Sequence, residues 1–429
     1  MNKHILLFGA GKSATCLIQF LDKTVTSRDW QLIVAENNLE LAQSKLSGSS
    51  RSKAVQVSVE DREQRDNLIR QADIVISLLP PALHFLVATS CVEWKKHLLT
   101  ASYLDDKLRS LEPAIKDKDL LFLCEMGLDP GIDHMSAMQL IHQIRANGGE
   151  IHSFLSHTGG LVSPVSDDNP WHYKISWNPR NVVLAGSAGA KYLEDGQTVT
   201  RSYEELFQQL NQVDIKGLAS LAWYPNRDSL SYIPIYGLDG INTFIRTTLR
   251  YPDYIRGWKS VVKARLTDDK APLTKDQTTF AQWSAPIRAL IDEDNRPLLE
   301  YLGLFSEEQL PAAAHTSADV LQHLLETRLA MHPGDKDMIV MLHEITYTSA
   351  GPSVKPRKIT SSLVVHGEDH LRTAMAKTVG LPLGIAAVLI LEGKIERTGL
   401  HIPISPDIYT PVMEELALQG VRFVEEEAH

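Results

Sequence analysis

The sequence predicts an α/β fold built on a doubly wound, mostly parallel sheet, and three stretches carry that expectation. The apolar run His4-Ile5-Leu6-Leu7-Phe8 passes directly into Gly9-Ala10-Gly11-Lys12-Ser13-Ala14, then into a helical pattern through Leu17, Ile18 and Leu21. A second short apolar run, Gln31-Leu32-Ile33-Val34-Ala35, ends in Glu36. A third, Asp73-Ile74-Val75-Ile76-Ser77-Leu78-Leu79, is closed by Pro80-Pro81. Buried strands followed by helices in this order make a parallel sheet the natural arrangement.

Residues 9–14 have the G-x-G-x-x-A form of a dinucleotide fingerprint in its required strand–turn–helix setting. Gly9 makes the turn, Gly11 lets the backbone approach a pyrophosphate, and the small Ala14 allows close helix–strand packing. The helix N-terminus favours the anion, with Lys12 and Ser13 in the same turn and Leu79 at the end of the third run as further cofactor candidates. Glu36 stands where an acid accepts the ribose 2′-hydroxyl of NAD and repels the 2′-phosphate of NADP, so NAD is expected over NADP. The plain alternative is a surface glutamate after a strand. Leu98-Leu99-Thr100-Ala101-Ser102-Tyr103 reads as the next strand and places Tyr103 on the same exit edge. A tyrosine there either donates a hydrogen bond near a nicotinamide or packs, and spacing alone favours packing.

Leu120-Leu121-Phe122-Leu123-Cys124 is a further buried run, followed by Gly127-Leu128-Asp129-Pro130-Gly131-Ile132-Asp133-His134. Pro130 pushes Asp129 out of the helical region, so a carboxylate sits at a strand exit, where ligands of open α/β sheets bind. Ile132, Met135, Met138, Ile141 and Ile144 then recur at helical spacing until Asn147-Gly148-Gly149. The bland reading is a Pro-Gly turn with Asp133 as helix cap. Beyond 150, Ile151 to Thr158 alternates like a strand, and a polar loop leads to Trp171-His172-Tyr173-Lys174. Residues from about 203 to 330 are largely helical in pattern, interrupted at Tyr224 to Ser229. Asp337 to Ile345 and Ser361 to Val365 look like paired strands joined by a connection with Gly351 and Pro352. Pro382 lies near the start of an apolar helix, and a final amphipathic helix begins at about 411.

A chain of 429 residues with 43% hydrophobic and 22% charged residues has the composition of a soluble protein of two or three domains. The net charge of −10 argues against nucleic-acid binding. Cys16, Cys91 and Cys124 fit no disulfide or zinc pattern, so a reducing cytoplasm without a bound metal is expected. The start is not a secretory signal, and the longest apolar run, Val379 to Leu391, is too short to span a bilayer.

With these motifs in place, the chain resembles the saccharopine dehydrogenase family of the L-glutamate-forming type (saccharopine reductases). The resemblance rests on the fingerprint, Thr100 to Tyr103, Gly127 to His134, Phe154-Leu155-Ser156 before Gly159-Gly160, and Asp168-Asn169-Pro170. It continues through Tyr224 to Ser229, Thr248 to Tyr251, Gly303 to Ser306 and Ala376 to Pro382. The family implies a Rossmann domain at 1–130 completed by 371–429, a substrate and dimerisation domain at 131–217 with 336–370, and a mainly helical domain at 218–335. It implies a homodimer that interconverts saccharopine with L-glutamate and 2-aminoadipate 6-semialdehyde, by hydride transfer next to the secondary amine and imine hydrolysis. Arg227 matches the family's substrate-carboxylate arginine, and Tyr103 and Asp129 match ionisable active-site positions, neither needing to be the sole general base. Ser102 joins the substrate candidates, and Lys174 and Arg246 could add positive charge, with solvated faces the simpler reading. Two departures stand out. Relatives carry Tyr-Cys where this chain has His157-Thr158, which makes His157 a candidate for proton handling or an ordinary buried histidine. NADP-using relatives have a small residue and an arginine where this chain has Glu36-Asn37, again pointing to NAD. A dehydrogenase of another secondary amine, such as carboxynorspermidine, and a non-catalytic NAD-binding regulator are the alternatives.

Overall fold

The structure is a computed structural model that describes residues 2–274, 278–349 and 355–428. The chain divides into two units, residues 1–143 with 371–422 and residues 144–370 with 423–429.

The first unit holds a parallel sheet. Its strands are β1 (His4–Phe8), β2 (Gln31–Glu36), β3 (Ser52–Gln56), β4 (Ile74–Ser77), β5 (His97–Thr100) and β6 (Leu121–Leu123). Helices α1 (Thr15–Arg28), α2 (Leu39–Gln43), α3 (Arg62–Gln71) and α4 (Pro81–Trp94) connect the first five. The strands are near-continuous apolar runs because helices cover both faces. Across the sheet the order is Gly399–His401, β6, β5, β4, β1, β2, β3. Strand order therefore reverses between β1 and β4, a switch point at which the strand exits form a crevice. The fifth strand ends at Thr100, so Ser102 and Tyr103 lie in the loop just beyond it rather than in the strand.

The C-terminal segment completes this unit. Gly399–His401 pairs in parallel with β6, Leu400 opposite Phe122. Helix Ala374–Leu391, capped by Thr373, packs on α1, and Gly384 makes room because a Cβ there would meet the Phe20 ring at 2.8 Å. The helix is long and apolar enough to cross a membrane, yet 72% of that stretch is buried inside the protein.

The second unit holds a mixed sheet of ten strands among the described residues. Its centre is β7 (Glu150–Val162), antiparallel to Asp337–Thr348 and parallel to Thr243–Arg250. Asp337–Thr348 pairs with Pro356–His366 as the sequence predicts; the connection carrying Gly351 and Pro352 lies outside the described residues. The helical pattern read from about 203 breaks down over its first part, where Asn211–Val213, Leu221–Pro225 and Thr243–Arg250 are strands. Thr243–Arg250 is rich in β-branched residues and buried on both faces for much of its length, so packing between neighbours decides its conformation. Helices such as Pro252–Lys263 and Ser317–Arg328 follow and close a core around Trp171, Tyr254 and Trp258, the last two rings stacked at 5.1 Å.

Candidate active site

The turn after β1 is shaped by backbone geometry. Gly9 has φ +101°, and a Cβ there would overlap the carbonyl oxygen of Leu78, so no other residue fits. Gly11 meets nothing within 4 Å where a Cβ would be, which leaves its backbone open to an incoming group. Ala14 is fully buried, Ser13 half-buried and Lys12 exposed, in a short 3-10 turn that runs into α1. An open backbone ahead of unpaired helix N–H groups is a good fit to a dinucleotide pyrophosphate. Leu79, half-buried, packs on the core beneath the same edge.

Glu36 faces this turn. Its carboxylate accepts hydrogen bonds from the main-chain N–H of Ala10 at 2.7 Å, Asn37 at 2.8 Å and Asn38 at 3.3 Å. Lys45, which sequence reasoning passed over, donates to the carbonyls of Ala10 and Gly11, both at 2.6 Å. Burial lowers the Lys45 pKa to about 8, against the raising effect of the Glu36 charge.

At the exits of β5 and β6 the Tyr103 hydroxyl donates to Asp129 Oδ1 at 3.3 Å. Asp129 lies in a tight loop between Glu125, held at φ +57°, and Gly131, and its bond to Pro130 is cis. Glu125 is 4% exposed; its Oε1 accepts from the Leu104 N–H at 3.0 Å, and its Oε2 lies 2.8 Å from His134 Nε2. The carboxylate thus ties the residue after Tyr103 to the helix that follows Asp129. Asp133 Oδ1 accepts from the Gly131 N–H at 2.6 Å, bracing the loop from the helix side. Ser102 Oγ is 2.7 Å from Nε2 of His84, whose Nδ1 is 2.8 Å from Ser77 Oγ. Sequence reasoning missed His84 and Glu125; the faint signals were a histidine in the first turn after Pro80-Pro81 and an acid two residues before Gly127.

In the second unit Arg227 is exposed and sits at φ +51°, a left-handed conformation that non-glycine residues adopt at a cost and that concentrates at functional positions. The neighbouring Asn226 N–H donates to the carbonyl of Arg246 at 2.8 Å. Neither Arg246 nor Lys174 lies on a solvated face. Arg246 is 3% exposed with its guanidinium 4.4 Å from the Tyr232 ring centre. The Lys174 ammonium is buried between Asp168 and Asp335, each at 2.8 Å. His157 is buried in β7 with Nδ1 2.7 Å from Thr247 Oγ1 and Nε2 3.2 Å from Glu344. The His157 hydrogen bond, then Lys358, hold the Glu344 carboxyl down to about 2 against its burial. Thr158 Oγ1 is buried without a hydrogen-bond partner among the described residues.

Residues 5–123 match the family model of the saccharopine dehydrogenase NADP binding domain, and residues 127–421 that of the saccharopine dehydrogenase C-terminal domain. Saccharopine dehydrogenase [NADP(+), L-glutamate-forming] of Saccharomyces cerevisiae is 34% identical over 97% of each chain. The solved apo saccharopine dehydrogenase (L-Glu forming) from the same yeast matches 100% of both chains with a TM-score of 0.90 at 32% identity. Alpha-aminoadipic semialdehyde synthase of Arabidopsis thaliana is 32% identical over 98% of this chain but only 44% of its own length. The chain thus spans about half the length of such longer relatives (47% for the mitochondrial enzyme of Bos taurus). These matches correct one expectation. The family domain and the fungal relatives are NADP-binding by name, which overturns the preference for NAD. The physical reason lies in Glu36: three main-chain N–H groups hold its carboxylate at the turn, and Lys45 brings a cation beside it.

Proposed function

We propose, because the chain belongs to the saccharopine dehydrogenase family, that it interconverts saccharopine with L-glutamate and 2-aminoadipate 6-semialdehyde in lysine metabolism, with NADP as cofactor. The observation that carries this reading is the Tyr103–Asp129 hydrogen bond at the exit edge of a sheet whose first turn is an open dinucleotide cradle. When bound, the nicotinamide supplies the hydride acceptor. The chain's residues have the rest to do. Asp129 orients the secondary amine and balances its charge while the adjacent methylene carbon is oxidised to the imine. Tyr103 hydrogen-bonds near that carbon and shares its proton with Asp129 through the water addition and collapse that release glutamate. Arg227 binds a substrate carboxylate, a task suited to an exposed guanidinium on a fixed turn. His157 receives no role, since both ring nitrogens already have partners in the sheet. A cytoplasmic homodimer belongs to the same reading, and light scattering of the purified chain tests the dimer.

The test of function is NADPH formation from saccharopine at mildly alkaline pH, with glutamate identified as product. A folded protein that binds NADPH and leaves saccharopine untouched sinks the substrate assignment.

A further inference from the structure

The side chains of Ser77, His84 and Ser102 run from the end of β4 to the loop beyond β5 through the two short contacts of the imidazole, while Thr100 Oγ1 lies farther off, 3.5 and 3.4 Å from its two nitrogens, and accepts from the Ser102 N–H. The proton positions along it can be worked out. His84 is 3% exposed, and its burial pushes the imidazole down to about 4, so near neutral pH it carries one N–H. Ser77 is fully buried, and His84 Nδ1 is its hydroxyl's one hydrogen-bond partner among the described residues. If Nδ1 carried the hydrogen, the Ser77 hydroxyl hydrogen would be buried with no acceptor among the described residues, an arrangement folded proteins avoid. Ser77 therefore donates to Nδ1, and Nε2–H donates to Ser102 Oγ. That leaves the hydroxyl hydrogen of Ser102, a half-buried residue, without an acceptor among the described residues.

Where that hydrogen points follows from the topology. A dinucleotide laid across the switch point puts its pyrophosphate at the turn after β1 and one nucleoside half on each side. Glu36 at the end of β2 marks the adenosine side, so the exits of β4 and β5 lie under the nicotinamide. Ser102 and Tyr103 are consecutive there. We propose that His84 is a positioning residue, whose Nε2–H fixes Ser102 Oγ so that the serine presents its hydroxyl hydrogen to the nicotinamide end of the cofactor. The inference rests on the NADP-dependent reading above but not on its substrate.

A double-mutant cycle read by NADPH fluorescence titration tests it. Ser102→Ala and His84→Asn should each weaken NADPH binding roughly three- to tenfold, the worth of one neutral hydrogen bond. The asparagine amide can still partner Ser77 but does not reach Ser102, so a loss there is not loss of the fold, and thermal melting checks this. The double variant should bind no more weakly than either single one. His84→Gln, whose amide N–H reaches the Nε2 position, should recover most of the affinity. Wild-type affinity in His84→Asn overturns the proposal, and so do losses that multiply in the double variant, as separate structural effects would. A wild-type protein that binds NADPH but does not oxidise saccharopine refutes the substrate reading alone and leaves the cycle measurable. One that binds no NADPH overturns both.

Discussion

Glu125 offers the sharpest trial of how the loops carrying Tyr103 and Asp129 are held. Its buried carboxylate spans the Leu104 N–H at 3.0 Å, on the residue after Tyr103, and His134 Nε2 at 2.8 Å, on the helix that follows Asp129. Glu125→Ala takes the buried acceptor away from the Leu104 N–H and the facing group away from His134 Nε2, at about 1–3 kcal/mol for each, or roughly 3–5 kcal/mol together. Glu125→Gln keeps the shape. The Leu104 N–H can only donate, so the amide oxygen must face it and the amide NH₂ must face His134. His134 must then accept at Nε2 and carry its hydrogen on Nδ1, which lies 3.7 Å from Asp133 Oδ2. Exchanging charged for neutral hydrogen bonds loses about 1–2 kcal/mol. For a unit of this size, the melting temperature should fall by about 2–8 °C with Gln and 6–20 °C with Ala. Calorimetry or circular dichroism gives those values, and steady-state NADPH formation gives kcat on the same samples. Because small displacements of reacting groups cost roughly a hundredfold, kcat should fall between tenfold and a hundredfold in Glu125→Ala and much less in Glu125→Gln. A Glu125→Ala protein that melts early yet turns over at the wild-type rate would refute the alignment role. Unchanged melting would refute the buried-contact accounting itself.

The fingerprint glycines should separate folding from binding. Gly11→Ala meets no protein atom and has φ −61°, so its melting temperature should stay near wild type while NADPH affinity collapses; Gly9→Ala should fail to fold stably. Normal NADPH binding by Gly11→Ala would remove the pyrophosphate from that turn. Arg227→Gly relieves a left-handed φ and should keep or raise stability while the KM for saccharopine rises roughly ten- to a hundredfold, the worth of a charged hydrogen bond; an unchanged KM removes Arg227 from the substrate. Glu344 supplies the pH dependence. Its folded pKa of about 2 lies below the unfolded carboxylate value near 4.3, so its stabilisation is complete above that value and drains away as pH falls toward 2. Chemical denaturation at pH 6 and pH 3 should show Glu344→Gln losing less stability on acidification than wild type, by on the order of 1.5–2 kcal/mol, since at pH 3 the linkage has drained only part of the way. Parallel losses would show that the His157–Glu344–Lys358 contact does not set the acid limb.

How much was legible depends on where each conformation is decided. The parallel sheet could be read because its strands are buried on both faces and appear as bare apolar runs, with Gly9 and Pro80 marking the turns. The placement of Tyr103 and Asp129 just beyond strand ends could be read because a strand exit is a local feature, although spacing alone favoured a packing tyrosine. Thr243–Arg250 could not. Its conformation comes from β7, about ninety residues earlier, pairing Thr247 with His157. His84, Glu125 and Lys45 are ordinary letters until the fold brings Ser102, Leu104 and the carbonyls of residues 10 and 11 against them. Glu36 makes the same point from the other direction. An acid at the end of β2 is the expected ribose ligand by spacing, and Glu36 does stand at the end of β2. Its function still depended on a contact the spacing does not contain, because the Ala10 N–H, 26 residues away, competes for the same carboxylate and holds it at the turn. A motif places a side chain near a ligand, and the neighbouring donors decide whether that side chain is available to bind it.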